Sequence, residues 1–222
     1  MVYFTQDFLT FLKELAANND RDWFNQHKKQ YETHVKKPFE NFVGALIAEM
    51  QKTDPNVLIT PKDAIFRIYR DTRFSKDKSP YKTHVSAIVS RAGRKDRSSP
   101  GMYVQLSAED ARVYSGAYEP EKNELQNIRE AIATNPVEFE KLINDKNFKA
   151  KFGEIRGEKN KRLPKELEDA AAKQPLIANK QFYYFAKFDP EIVLKPDLPK
   201  ILMDHYKAGQ PLGDFLWRAA KG

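Results

Sequence analysis

A short basic segment, residues 66–84, contains the side chains of this chain that are best suited to bind an anion. It holds six basic residues and two acidic ones, Asp71 and Asp77. Arginine offers a planar fork of donors that matches phosphate or carboxylate, and lysine adds a point charge. Because two acids do not neutralise six bases, the segment predicts a site for a phosphorylated or otherwise anionic small molecule. The predicted ligand-binding residues are Arg67, Arg70, Arg73, Lys76, Lys78, Tyr81 and Lys82.

The same segment also admits a structural interpretation, in which Asp71 and Asp77 orient the arginines in an ion-pair network and Pro80 fixes the loop. His84 follows the basic loop and would act as a general base beside a bound phosphate, and Asp71 is the other candidate catalytic residue. A single histidine at the start of a strand more often has a structural role. The sequence therefore leaves the existence of an enzymatic activity open.

The charge of the chain is concentrated around this segment. Residues 62–97 contain 11 Lys and Arg against 4 Asp and Glu, which accounts for the whole formal net charge of +7, and the rest of the chain has 27 of each sign. A small anionic ligand is preferred to nucleic acid, which would use the same segment together with 141–165, because no known nucleic-acid motif occurs. A third interpretation is a protein-interaction scaffold whose basic loop meets an acidic partner.

Several function classes are excluded or disfavoured by what the sequence lacks. There is no cysteine, which excludes disulfides, thiolate metal sites and a cysteine nucleophile. The glycine-rich motifs of P-loop and Rossmann proteins and the GxSxG motif of hydrolases do not occur, so no cofactor is predicted. The longest apolar stretch, residues 42–48, is far shorter than the roughly 20 residues of a membrane span. We expect a cytoplasmic protein without a membrane partner.

One helical face contains two histidines that could bind a metal ion. His27, Tyr31 and His34 are spaced so that they share a side of a helix, which would present two imidazoles together. No carboxylate follows at a matching spacing. A half-buried helix face with polar tips is therefore favoured, and no metal is predicted.

The hydrophobic periodicity predicts an α+β protein that forms a single domain over residues 1–222. Apolar residues recur with a helical period in 7–51 and again in 121–144. Between these regions the period is two, and the connections are too short for helical crossovers, which predicts an antiparallel sheet packed against the N-terminal and C-terminal helices. The predicted sheet strands are 63–70, 83–91, 101–107 and 111–118. Beyond them we expect a helix at 164–173, a strand at 181–188, and short helices at 199–206 and 211–220.

We make specific predictions for two residues of the first helical region. Trp23 is predicted to be largely buried and to fasten the first two helices together. Pro38 is predicted to break or kink the long helix at the preceding residue.

The basic segment also resembles the signature of a widespread bacterial family of uncharacterised proteins, the domain of unknown function 2461. The early element Asn18-Asn19-x-Arg21-x-Trp23-Phe24 is part of the same resemblance. Looser matches follow at Ser115-Gly116-Ala117-Tyr118-x-Pro120, Ile128-Arg129-x-x-Ile132 and Arg162-Leu163-Pro164-Lys165. The resemblance implies membership of that family over most of the chain, and it implies no assigned activity.

Overall fold

A four-stranded antiparallel sheet with helices around it makes the protein α+β, as predicted. The computed structural model describes residues 1–95 and 101–222, so that Asp96 and Arg97, at the end of the basic region, lie outside the described residues. The strands are β1 (His84–Ser90), β2 (Gly101–Ser107), β3 (Ala111–Ala117) and β4 (Phe182–Phe188), in the spatial order β1-β2-β3-β4. The helices are α1 (Gln6–Ala17), α2 (Arg21–Gln26), α3 (Lys28–Gln30), α4 (Lys37–Gln51), α5 (Pro61–Ala64), α6 (Lys122–Thr134), α7 (Pro136–Ile143), α8 (Lys146–Phe152), α9 (Lys165–Lys173) and α10 (Leu198–Lys221).

The chain divides into two compact units. The first unit comprises Met1–Lys95, Tyr103–Val113 and Lys187–Met203, and the second includes Tyr114–Ala186 and Asp204–Gly222. A single domain over the whole chain stays a prediction.

The core of the first unit is built on the apolar faces of α1 and α4. Phe8, Phe42 and Leu46 are fully buried there. Helix α4 also packs against β1, in which Val85, Ala87 and Val89 are buried on one face and Ser86 and Ser90 on the other. The strand is therefore buried on both faces for most of its length, and its first residue, His84, is only partly buried.

The predicted strand 63–70 is wrong, and the fourth strand of the sheet is β4. Pro61–Ala64 is helical because Pro61 occupies its first turn and Thr60 forms a capping box with Asp63. The residues that follow are extended but pair with the chain only at isolated bridges, Ile65 with Ala87 and Tyr69 with Tyr81. We call residues 65–70 the extended segment.

Pro38 lies at the start of α4, directly after a π-helical turn, Tyr31–Lys36. Proline has no N–H to donate to the carbonyl of the preceding turn. The helix therefore widens into the π-helical turn before Pro38, and α4 then continues to Gln51.

Helix α10 is one continuous helix, so the two short helices predicted at 199–206 and 211–220 are wrong. Pro211 lies inside the helix and removes one of its hydrogen bonds. Leu212 and Leu216 continue the buried face of the helix past the proline. Burial of this face offsets the missing bond, since most helical stability in proteins comes from tertiary packing. Among the described residues, no helix combines the length and apolar character needed to cross a bilayer.

Candidate functional site

A cleft of about 300 Å³ opens on the first unit, where α2 meets the extended segment. Both charged residues that line it are arginines, and no carboxylate is among the lining residues. Hydrogen-bonding and aromatic side chains complete the walls. The lining residues are Arg21, Asn25, Tyr69, Arg70, Thr72, Pro80 and Tyr81.

Helix α2 supplies one wall of the cleft. Arg21 and Asn25 are four residues apart, so they lie on the same side of the helix. The helix begins at this point because the side chain of Asp20 accepts hydrogen bonds from the N–H groups of Asp22 and Trp23, each at 2.9 Å. Arg21 has no ion-pair partner among the residues that the structure describes.

The other wall is tied to α2 by Asn19. The side-chain amide of Asn19 donates to the carbonyl of Tyr81 at 3.0 Å, and its side-chain oxygen accepts from the N–H of Tyr81 at 3.1 Å. Tyr81 in turn bridges to Tyr69. These contacts bring residues that are distant in the sequence to the same cleft.

Two lining residues of the cleft, Tyr69 and Tyr81, belong to an aromatic cluster. The ring of Tyr81 stacks on that of Phe24 at 4.0 Å with an interplanar angle of 17°, and Tyr69 lies 5.4 Å from Tyr81. Tyr31 packs against Phe24 at 5.1 Å, and burial raises the pKa of Tyr31 to about 12. The hydroxyl of Tyr31 is therefore neutral at pH 7.

Arg70 is oriented inside the cleft by an ion pair with Asp77. Asp77 also accepts hydrogen bonds from the N–H and the hydroxyl of Ser79, at 2.9 and 2.5 Å. The hydrogen bond from Arg70 holds the pKa of Asp77 well below its usual range. Asp77 is the more exposed partner, with 59% of its side chain accessible against 27% for Arg70.

Arg73 and Asp71 form a second pair away from the cleft lining. The Nε and Nη2 groups of Arg73 donate to the two carboxylate oxygens of Asp71 at 3.0 and 2.7 Å. This contact with Arg73 lowers the pKa of Asp71 to about 2. The geometry is that of a structural ion pair, in which both Asp71 and Arg73 already have a partner.

The other predicted ligand-binding residues do not line the cleft. Lys78 donates its Nζ to the carbonyl of Thr72 at 2.9 Å, and Lys76 is exposed. Lys82 lies over the ring of Phe66, and Arg67 is exposed. Of the seven predicted ligand-binding residues, the structure brings Arg70 and Tyr81 into the cleft.

His84 lies at the start of β1 and not in the cleft. Burial, together with the charges of Lys82 and Arg112, lowers its pKa from 6.5 to about 4. The imidazole is therefore neutral at pH 7, and it is a weak base. A role beside a phosphate held by Arg70 stays a prediction.

The histidines of the first helical region have other partners. His27 stacks on Trp23 at 4.1 Å and places its Nδ1 2.8 Å from the carbonyl of Trp23. His34 pairs with Asp7 at 3.5 Å. In the parts of the chain that the structure describes, no three His, Asp or Glu side chains come together as a metal site would require.

Sequence reasoning did not find Arg21 and Asn25 as site residues. Their spacing of four within a short helix was a usable signal, because it places a cation and an amide on one helical face. Arg21 also belongs to the Asn18–Phe24 element.

The comparisons with known proteins match this chain to a family but assign it no activity. No curated protein and no solved structure matches it. Residues 7–215 match the family described as conserved hypothetical protein (DUF2461). That range includes the Asn18–Phe24 element, the basic segment and every residue of the cleft, and the chain therefore belongs to the DUF2461 family.

Proposed function

We propose that the protein binds a phosphorylated or otherwise anionic small molecule in the cleft between Arg21 and Arg70. The observation that carries this proposal is the lining of the cleft, in which both charged groups are guanidinium ions. Two guanidinium groups repel each other, and an anion between them offsets that repulsion. They also supply paired N–H donors that match the oxygens of phosphate or carboxylate.

The two arginines have different roles in this proposal. Arg70 is held in place by Asp77, so little conformational freedom is lost when it binds a ligand. Arg21 is exposed and has no ion-pair partner among the described residues, so its donors are available to the ligand. The amide of Asn25 and the hydroxyls of Thr72 and Tyr69 add uncharged hydrogen-bonding groups. The volume of about 300 Å³ suits a small metabolite.

The test uses the side-chain amide of Asn25 as a reporter inside the cleft. Inorganic phosphate, nucleotides and sugar phosphates are titrated into the ¹⁵N-labelled protein at constant ionic strength, and the amide signal is followed by NMR. We expect a saturable shift with at least one of these compounds. Arg21→Gln and Arg70→Gln should each weaken binding about tenfold, which is the loss of one charge-assisted contact.

Two matched variants distinguish binding in the cleft from non-specific binding to a basic surface. Lys95→Gln removes an exposed charge of the same unit and should leave the affinity unchanged. Arg73→Gln should also have little effect, because Arg73 is bound to Asp71 and does not line the cleft. Equal losses in all four variants would show that net charge alone determines binding, and the cleft would lose its role.

The dependence of affinity on salt concentration distinguishes a small anionic ligand from nucleic acid, which is the alternative partner. A duplex binder neutralises several phosphates, so the logarithm of its affinity falls steeply with the logarithm of the salt concentration. A cleft for one phosphate group should show a shallow slope. A steep slope for a short duplex, with no saturable small ligand, would contradict the proposal.

A further inference from the structure

A second cluster of charged side chains lies at one end of the sheet, within the first unit. In an antiparallel sheet of order β1-β2-β3-β4, the starts of β1 and β3 and the end of β4 lie at the same end of the sheet. His84 begins β1, Arg112 is the second residue of β3, and Lys187 is the penultimate residue of β4. None of these residues lines the cleft.

Asp110 organises this cluster. Its side chain is 3% exposed, and it accepts hydrogen bonds from Nε and Nη2 of Arg112 at 2.9 and 2.6 Å. The ammonium of Lys187 lies 3.2 Å from the same carboxylate. A buried carboxylate with two cationic partners holds both cations in fixed positions at the surface.

Lys82 adds a third cation without adding an acid. Its Nζ lies 5.4 Å from the centre of the Phe66 ring, and no carboxylate of the described chain lies within ion-pair distance of it. Burial and the charge of Arg67 both lower the pKa of Lys82. Lys82 lies two residues before His84, which begins β1, and the pKa of His84 is lowered by burial and by the charges of Lys82 and Arg112.

We propose that Lys82, His84, Arg112 and Lys187 form a second anion site, which binds the tetrahedral oxyanion of a phosphate group. Arg112 and Lys187 share one carboxylate and Lys82 has none within the described ranges, so the cluster has an excess of positive charge that a bound oxyanion offsets. The ammonium and guanidinium groups supply charge-assisted donors. The imidazole of His84 supplies one further N–H without adding to the repulsion among the cations.

The surroundings of Lys82 suggest which phosphates the site would take. Phe66 lies next to Lys82, and its ring is 6.1 Å from that of Tyr103. An aromatic phosphate ester would place its ring against these residues while its phosphate contacts the cations. Inorganic phosphate has the same oxyanion but gains nothing from Phe66 and Tyr103.

The ring signals of His84 report on this site directly. The chain has four histidines, and His84→Gln assigns the signals by their loss. Inorganic phosphate and phenyl phosphate are titrated separately at constant ionic strength, and the histidine ring signals are followed by NMR. We expect a saturable shift of the His84 signals, and tighter binding of phenyl phosphate if the natural ligand is an aromatic ester. Equal affinities would identify the phosphate group itself as the recognised part.

Variants distinguish a built site from a basic surface. Lys82→Gln and Lys187→Gln should each raise the dissociation constant about fivefold, while Lys200→Gln, an exposed lysine of the same unit, should not change it. Arg21→Gln should weaken the binding that Asn25 reports in the cleft about tenfold and leave the response of His84 intact, so each of the two sites is tested independently of the other. His84 signals that do not move with either phosphate, or equal losses in Lys82→Gln and Lys200→Gln, would overturn the second site.

Discussion

Asn19 and Tyr81 exchange two hydrogen bonds across 62 residues of chain, the amide of Asn19 pairing with both the N–H and the carbonyl of Tyr81. Asn19 belongs to the connection between α1 and α2, and Tyr81 lies in the cleft wall opposite Arg21. The side chain of Asn19 thus makes the two hydrogen bonds to the backbone of Tyr81 that a neighbouring strand would otherwise make. The relative position of the two arginines depends on this contact.

We therefore expect Asn19→Ala to destabilise the protein and to weaken ligand binding in the cleft. The substitution leaves the partly buried N–H and carbonyl of Tyr81 without these partners, which costs about 1–3 kcal/mol. Urea denaturation measures this loss. Asn18→Ala is the control, since Asn18 is exposed and bonds only locally to the carbonyl of Glu14. Equal effects of the two variants would show that the contact with Tyr81 contributes nothing specific.

Phe24 is the most deeply buried aromatic residue of α2, and Trp23 is less deeply buried but packs on Phe11 of α1, as predicted for a residue that fastens the first two helices. Phe24 is 2% exposed and stacks on Tyr81, whereas Trp23 is half-buried between Phe11 and His27. We expect Phe24→Ala to lower the free energy of unfolding by about 3–5 kcal/mol. Trp23→Ala should cost clearly less. Chemical denaturation of both variants checks the order, and the reverse order would contradict the packing described for α2.

Gly209 in α10 leaves space for the ring of Tyr184. A Cβ atom at this position would lie 2.5 Å from Cε2 of Tyr184, which is fully buried and donates its hydroxyl to the carbonyl of Gly209 at 2.7 Å. Gly209→Ala should therefore cost about 1–3 kcal/mol through overpacking. Gly44→Ala in α4 is the matched control, because its nearest neighbour would be 3.7 Å away and alanine favours the helix. A fall in melting temperature for Gly44→Ala but not for Gly209→Ala would contradict this explanation.

The stability of the protein should depend on the ionisation of His84. Its pKa falls from 6.5 to about 4 on folding, mainly through burial, so the unfolded chain binds the proton more tightly. Stability is then complete above pH 6.5 and decreases as the pH falls towards 4, by up to about 3 kcal/mol. Urea denaturation over this range measures the effect.

His84→Gln should remove this part of the pH dependence. The carboxylate of Asp71 does not interfere, because its pKa is lowered from 3.8 to about 2 and its contribution is lost only below that window. An unchanged slope between pH 4 and 6.5 in His84→Gln would assign the effect to another group.

The α+β class and strands β1 to β3 were predictable because their signals are local. Alternating apolar side chains, as in Met102, Val104 and Leu106, predict a strand with one buried face whichever strand pairs with it. The basic character of residues 66–84 is likewise a property of composition, and it pointed to the part of the chain that contains Arg70 and Tyr81. Family membership followed from contiguous motifs.

The tertiary structure alone decided which residues meet. The extended segment has the alternation of a strand, yet it pairs only at isolated bridges, and β4 completes the sheet instead. Arg21 joins Arg70 through the contact of Asn19 with Tyr81, while Arg73 and Lys82 of the same basic segment lie outside the cleft lining. A periodic pattern predicts which face of a helix or strand is buried. Which distant segments pair with each other depends on tertiary packing, and no local pattern encodes that packing.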